Sequence, residues 1–261
     1  MRGIGFATAQ LLAGDGYTVV LTERPGSRPT ESEQQCGWTG AASGVDAITN
    51  AGGRAVCAVC DVTDPGDLTA LVELTVSLGP FSVLVNNAGS AGQASTFAVH
   101  DAPEDVWAEA VEVNLHALHR MAVAAVPALI ESQAEDKAIV NLASLAGSRP
   151  LARYGSYSAS KAGVIAVTSQ MALELARYGI RVNCVSPGST DTDMIDGTMA
   201  RAEQRTGMAS GSVRTLSIKR VPLRRFATPA EVGEVIRFLA GPRSSYVTGQ
   251  TLQVDGGLSL T

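Results

Sequence analysis

Six short apolar runs rich in β-branched residues recur along this chain, separated by stretches long enough for helices. They are Tyr17–Thr22, Arg54–Val59, Phe81–Asn86, Ala138–Leu142, Ile180–Ser186 and Thr251–Val254. Continuously apolar runs suit strands covered on both faces, which is the state of strands in a parallel sheet. Helix start signals stand between them. Asp64-Pro65-Gly66-Asp67 offers a cap and then a proline at the first helical position. Thr228-Pro229-Ala230-Glu231 does the same and adds a capping-box glutamate. This alternation predicts an α/β fold, a single domain built on a doubly wound parallel sheet. With 261 residues, 45% of them hydrophobic, the chain can bury a large core, which excludes a disordered protein. Two stretches break the rhythm, 25–44 and 191–225. Both read as loops, and loops of that length are usually functional or mobile.

Charge and cysteine usage narrow the function. A net charge of -5 argues against a nucleic-acid surface, which needs a basic stripe. No apolar run approaches the ~18 residues of a membrane span. The segment from Met1 to Ala13 resembles a signal peptide only faintly, because Thr8 and Gln10 interrupt it and no A-x-A-like site follows. A cytoplasmic protein without membrane or nucleic-acid partners is expected. Cys57 and Cys60 have C-x-x-C spacing, but in a strand that offset points them to opposite faces. They read as structural. His100, His116 and His119 lie far from them, so no metal site is expected.

The residues that carry chemistry are Ser144, Tyr157 and Lys161. Tyr157 and Lys161 stand four apart in a helical stretch that runs to about Tyr178, so they share a helix face. A nearby ammonium favours phenolate and lowers a tyrosine pKa, which makes the group usable as an acid or base near neutral pH. Ser144 follows a strand, where ligands meet an α/β sheet. A Tyr–Lys pair alone would equally suit a solvated helix face. Gly3-Ile4-Gly5 opens a helix, and a glycine-rich helix start lets backbone N–H groups approach a pyrophosphate. Glu23 closes the next strand, where a carboxylate can accept hydrogen bonds from ribose hydroxyls and repel a 2′-phosphate. Arg24, next to it, could instead pair with that phosphate.

In that order and spacing these residues, with Asn86-Asn87-Ala88-Gly89, Asn114 and Pro187-Gly188 followed by Thr192, resemble the short-chain dehydrogenase/reductase family from residue 3 to about 257. The resemblance implies a Rossmann-like fold and hydride transfer between a nicotinamide cofactor and a secondary alcohol or ketone. It implies catalytic roles for Asn114, Ser144, Tyr157 and Lys161. It implies cofactor contacts from Gly3, Ile4, Gly5, Glu23, Asp61, Val62, Asn87, Ala88, Gly89, Tyr157, Lys161, Pro187, Gly188, Thr190 and Thr192. NAD is expected, with NADP admitted. Asp61 could equally be a turn residue, Asn114 could cap a kink, and 187–192 could be an ordinary strand-to-helix loop. The segment Ser186–Met194 also resembles dihydrodiol dehydrogenases of the 2,3-dihydro-2,3-dihydroxybenzoate type. The remainder looks more like 3-oxoacyl reductases. Helices over 103–132 and 154–178 carry more apolar surface than one sheet face can cover, and the resemblance implies that such helices pair between subunits, so a homotetramer acting on a small-molecule substrate is expected.

Members of this family normally begin with an apolar strand and T-G-x-x-x-G-x-G, whereas this chain begins Met1-Arg2-Gly3-Ile4-Gly5. The absent strand is the central one, so two strand edges are expected to lack a partner inside the sheet. A longer chain that was cut, or whose start was misassigned, is the expected explanation. A protein that truly lacked the strand should bind dinucleotide poorly or serve as a non-catalytic nucleotide-binding scaffold. The 25–44 insertion, with Cys36, Gly37, Trp38 and Gly40, lies beside the expected adenosine end and could cover it.

Overall fold

The computed structural model describes residues 3–26, 39–93 and 96–261. Helix α1 (Ile4–Gly14) leads to β1 (Thr18–Glu23), α2 (Ala41–Asn50) and β2 (Arg54–Val59). Then come α3 (Pro65–Ser77), β3 (Val83–Asn86), and α4 (Glu104–Val111), which continues through a π-helical turn (Glu112–His116) into α5 (Ala117–Glu131). Strand β4 (Lys137–Leu142), α6 (Gly155–Leu175) and β5 (Ile180–Pro187) follow. The chain ends with α7 (Asp193–Thr206), α8 (Ser212–Arg220), α9 (Pro229–Ala240) and β6 (Thr251–Val254). Every strand pair is parallel. The six strands lie at or within a few residues of the six apolar runs.

Both predicted helix starts form. The Asp64 carboxylate accepts the Gly66 and Asp67 N–H groups, and Thr228 and Glu231 form a reciprocal capping box. Side chains of the central strands alternate between two cores. Ile139 and Val182 face Leu118, Leu129, Val164 and Met171 on one side. Val140, Leu142 and Val185 face Leu12, Val232, Ile236 and Leu239 on the other. Helices α3, α5 and α6 thus cover one face, and α1 and α9 the other. Cys57 is exposed on β2 and Cys60, just past its end, is buried.

Three expectations need correction. Residues 191–225 are not loop: they hold α7 and α8, and Met199 packs with Val221 and Phe226 in a small core of their own. The 25–44 segment ends in helix, because α2 begins at Ala41 behind Gly40, whose φ of +117° suits glycine. Cys36, Gly37 and Trp38 lie outside the described residues. The continuous helix Glu104–Glu131 does meet the length and mean-hydropathy test for crossing a membrane, although Leu118, Met121 and Leu129 of it pack into the core.

Among the described residues the sheet comes in two parts, β1-β2 and β3-β4-β5-β6. Every residue of β5 is buried, but none of β1 is, and only Leu84 of β3. The edges of β1 and β3 that face each other line one cavity of about 1400 Å³, together with Leu12, Leu68, Leu71 and Phe81. Among the described residues the space between β1 and β3 is thus a gap with apolar walls. A six-residue Val/Ile strand added upstream of Gly3 would close both ladders. Burial of its side chains should outweigh the ordering of its backbone by a few kcal/mol, roughly. The lengthened protein should therefore melt at least about 5 °C higher by calorimetry. An unchanged midpoint would show that the gap does not accept a strand.

Candidate active site

The site assembles at the carboxyl ends of β3, β4 and β5, where loops leave a parallel sheet together. A polar chain crosses the core just beneath it. The Asn86 amide donates to Asn141 Oδ1 at 2.8 Å, the Asn141 amide donates to Thr168 Oγ1 at 2.9 Å, and that hydroxyl donates to the Val164 carbonyl at 2.7 Å. This chain joins β3 to β4 and β4 to α6. It holds Asn86 opposite Asn141, and so sets where Asn87–Gly89 and Ser144 emerge.

Helix α6 brings Tyr157 and Lys161 into the cavity. Ser144 lines the same cavity and accepts the Ala146 N–H at 3.2 Å. The Lys161 side chain is buried, with Nζ donating to the Leu142 carbonyl at 2.9 Å and lying 5.9 Å from the centre of the Tyr157 ring. Tyr154 meets Tyr157 edge to face at 6.2 Å. Gly147 lets the turn after Ser144 rest on α6, since a Cβ there would lie 2.7 Å from the Lys161 carbonyl carbon.

Asn114 is buried in the π-helical turn. Its side chain pairs with both the N–H and the carbonyl of Ser90, each at 2.9 Å, and donates to Ser160 Oγ at 3.3 Å. It is thus tied to the loop after β3 and to α6 at once. Gly89 fills the space between: a Cβ there would stand 2.9 Å from Asn114 Oδ1 and 3.3 Å from Lys161 Nζ. Ser144, Tyr157, Lys161 and Asn114 therefore share one wall, as expected from the sequence.

The expected lowering of the Tyr157 pKa by Lys161 is not found in this arrangement. Burial pushes the Tyr157 hydroxyl up, and only the Ser144 hydrogen bond opposes it. Burial also drives Lys161 down to about 8. Removing water penalises the charged form of each group, and the ammonium is turned toward a backbone carbonyl instead of the phenol oxygen.

The cofactor residues occupy the same cavity. Gly3, Ile4 and Gly5 line it at the start of α1, which has no acidic residue in its first turn and no side-chain cap. A Cβ on Gly188 would meet the Asp255 backbone at 2.8 Å, so that approach needs glycine, and one on Gly5 would displace the Asn87 amide, 2.5 Å away. Glu23, Val62, Asn87, Ala88, Pro187, Thr190 and Thr192 are also in the wall. The Glu23 carboxylate accepts the Ala41 N–H at 3.0 Å, which fixes it at the tip of β1. Asp61 instead turns its carboxylate back onto the Thr63 N–H and hydroxyl, at 2.9 and 2.7 Å, and so performs the turn role the sequence left open. An uncapped helix start, glycines at each close approach and an acid at the next strand tip fit a dinucleotide.

These residues match known proteins along their whole length. A family model described as enoyl-(acyl carrier protein) reductase matches residues 1–259. The chain belongs to the short-chain dehydrogenase/reductase family. It is 36% identical over 268 residues to a cis-4-hydroxycyclohexanecarboxylate dehydrogenase of Sinomonas cyclohexanicum, covering 98% of this chain and 92% of that one. It is 35% identical over 257 residues to a 3-oxoacyl-(acyl-carrier-protein) reductase of Thermotoga maritima, covering 98% and 93%. Among solved structures, a phenylalanine-to-tryptophan variant of actinorhodin polyketide ketoreductase with NADPH superposes with a TM-score of 0.86 at 32% identity, over 99% of this chain and 94% of that one. The chain is accordingly an NAD(P)-dependent oxidoreductase of ketoreductase type with a Rossmann fold.

Two site features lay beyond the sequence reading, the Asn86–Asn141–Thr168 chain and Tyr154. Asn141 could have been found, since an asparagine inside an otherwise apolar strand demands a buried partner. The Lys161 burial makes a prediction. A lysine depressed from 10.5 to about 8 binds fewer protons folded than unfolded between those values, so its penalty is full below pH 8 and is relieved as pH rises toward 10.5. Lys161→Met should melt above the wild type at pH 7, with the difference shrinking from pH 8 to 10.5. A difference independent of pH would refute the buried ammonium.

Proposed function

We propose that this protein interconverts a secondary alcohol and a ketone, with Tyr157 as the acid/base. A nicotinamide cofactor, when bound, supplies or accepts the hydride. In the reducing direction the Tyr157 hydroxyl gives its proton to the substrate oxygen, and in the oxidising direction it takes that proton back. Ser144 donates a hydrogen bond to the same oxygen. Lys161 holds the nicotinamide ribose hydroxyls and, once turned toward the phenol, favours its ionised form. Asn114 holds a proton relay from Lys161 to solvent. The observation that carries this reading is the meeting of Ser144, Tyr157, Lys161 and Asn114 at one wall of one cavity. The relatives named for a ketone reductase and an alcohol dehydrogenase support the substrate class and leave its direction open.

The preferred cofactor is NAD. Glu23 stands at the strand tip where a 2′-phosphate would lie, and the Ala41 N–H holds it there. The actinorhodin ketoreductase carries NADPH, so the opposite preference is the competing outcome. Residues 191–225 form the substrate cover, and 25–44 lies beside the adenosine end. Outward-facing Val123 on α5 and Leu173 on α6, 63% and 78% exposed, suit pairing of these helices in a homotetramer. The three described cysteines are free thiols, which suits the cytoplasm.

Tyr157→Phe should cut turnover by roughly 10²–10⁴ while leaving cofactor affinity within a few-fold. Near-normal turnover would remove the acid/base assignment. Glu23→Gln should narrow the ratio of kcat/KM for NADH over NADPH. A wild type that prefers NADPH would show that Arg24 or the insertion controls this end.

A further inference from the structure

One side chain ties together three segments of the cover over the substrate end. Arg214, on α8, reaches two carboxylates with different nitrogens: Nη2 donates to Asp191 Oδ1 at 2.8 Å and Nη1 to Asp196 Oδ1 at 3.0 Å. Its guanidinium also lies over the Phe226 ring, 4.9 Å from the centre. The three partners sit on three different segments. Asp191 lies in the loop after β5, between Thr190 and Thr192 of the cavity wall. Asp196 is in the first turn of α7. Phe226 is buried in the segment leading to α9 and packs with Met199 and Val221.

Backbone bonds anchor the Asp191 end to the sheet. Its N–H donates to the Ala227 carbonyl at 2.8 Å, and the Ala227 N–H donates to the Ser189 carbonyl at 3.0 Å. The loop after β5 and the segment at Phe226 are therefore one rigid base. Helix α8 meets this base and α7 through the forked cation and through Val213 and Ile218, which pack against Met199, Val221 and Phe226. A second tie, the Glu203 carboxylate accepting the Val213 N–H at 3.1 Å, joins α8 only to α7. Helix α8 turns Val213 and Ser217 into the cavity, and α7 turns Met194, Thr198 and Met199 into it.

We infer that Arg214 is a positioning residue that locks the substrate-covering helices to the loop after β5, and that this lock sets the shape of the ketone pocket. It touches neither the reacting atoms nor the catalytic wall. A planar fork can hold two carboxylates at once, whereas a lysine ammonium presents no such fork. The pairs are one-third to one-half exposed, so salt weakens them. This inference rests on the reading of 191–225 as the substrate cover.

The test has an arm that needs no turnover. In Arg214→Met, which keeps the apolar stem over Phe226, hydrogen exchange of amides in 193–220 should rise ten-fold or more while β4, β5 and α6 keep wild-type protection. Asp196→Asn should do the same more weakly, and the double variant should be no worse than Arg214→Met alone. The kinetic arm uses ethyl acetoacetate as the ketone. Arg214→Met should raise its KM by about five- to ten-fold with kcat and cofactor Kd little changed, and Arg214→Lys should recover part of the loss. Wild-type KM should climb between 0.05 and 1 M NaCl, roughly from full to negligible reach of surface charge, and the Met variant should lose that salt response. Unchanged exchange in both single variants would overturn the lock. Raised exchange with an unchanged KM and salt response would overturn its role in the pocket. A wild type that reduces no ketone would instead count against the proposed activity, and the exchange arm would still decide the lock.

Discussion

The buried run of hydrogen bonds from Asn86 through Asn141 to Thr168 is the constraint on which the rest of the site depends. A parallel strand that slips by one residue turns its whole side-chain pattern to the other face. Asn141 is fully buried between two apolar cores, and in any other register its amide would lose partners it cannot replace there. With that register held, Leu142 ends opposite Val185, and the loops bearing Asn87, Ser144 and Gly188 leave from the same end of the sheet. Thr168 carries the same constraint into α6, and Tyr157 and Lys161 follow from the helical repeat.

What the site does with this rigidity is place charge where water is excluded. Lys161 is buried beside Gly89 and spends its hydrogen bond on the Leu142 carbonyl. Burial opposes both a lysine cation and a tyrosine anion, so each is costly in this arrangement. An ammonium that turns from Leu142 toward the phenol relieves both costs at once.

Much of this was legible in the chain. Strand positions were readable because both faces of a parallel sheet are buried, which makes each run continuously apolar. Helix starts at Asp64 and Thr228 were readable because capping needs particular side chains at particular offsets. The meeting of Ser144, Tyr157, Lys161 and Asn114 in one cavity was readable through a family resemblance and the i, i+4 spacing of Tyr157 and Lys161. The direction of the Tyr157 pKa was not, since it depends on where Lys161 Nζ points and how much water reaches it. Helices α7 and α8 were missed because Met194, Met199 and Met208 are spread among glycines and charges, and the stripe that packs becomes visible only beside Phe226. The separation of β1 from β3 follows the expectation set by the glycine motif that opens at Gly3.

The central claim is that the wall of Ser144, Tyr157, Lys161 and Asn114 serves hydride transfer to a carbonyl carbon. Isotope transfer tests it directly. The protein is incubated in light water with a ketone panel and a reduced nicotinamide cofactor carrying deuterium at C4 in the transferred position, and the alcohol is analysed by mass spectrometry. The account predicts one deuterium on the carbinol carbon and a light proton on its oxygen. An alcohol with no deuterium on that carbon, or cofactor oxidised with no alcohol formed, would contradict it.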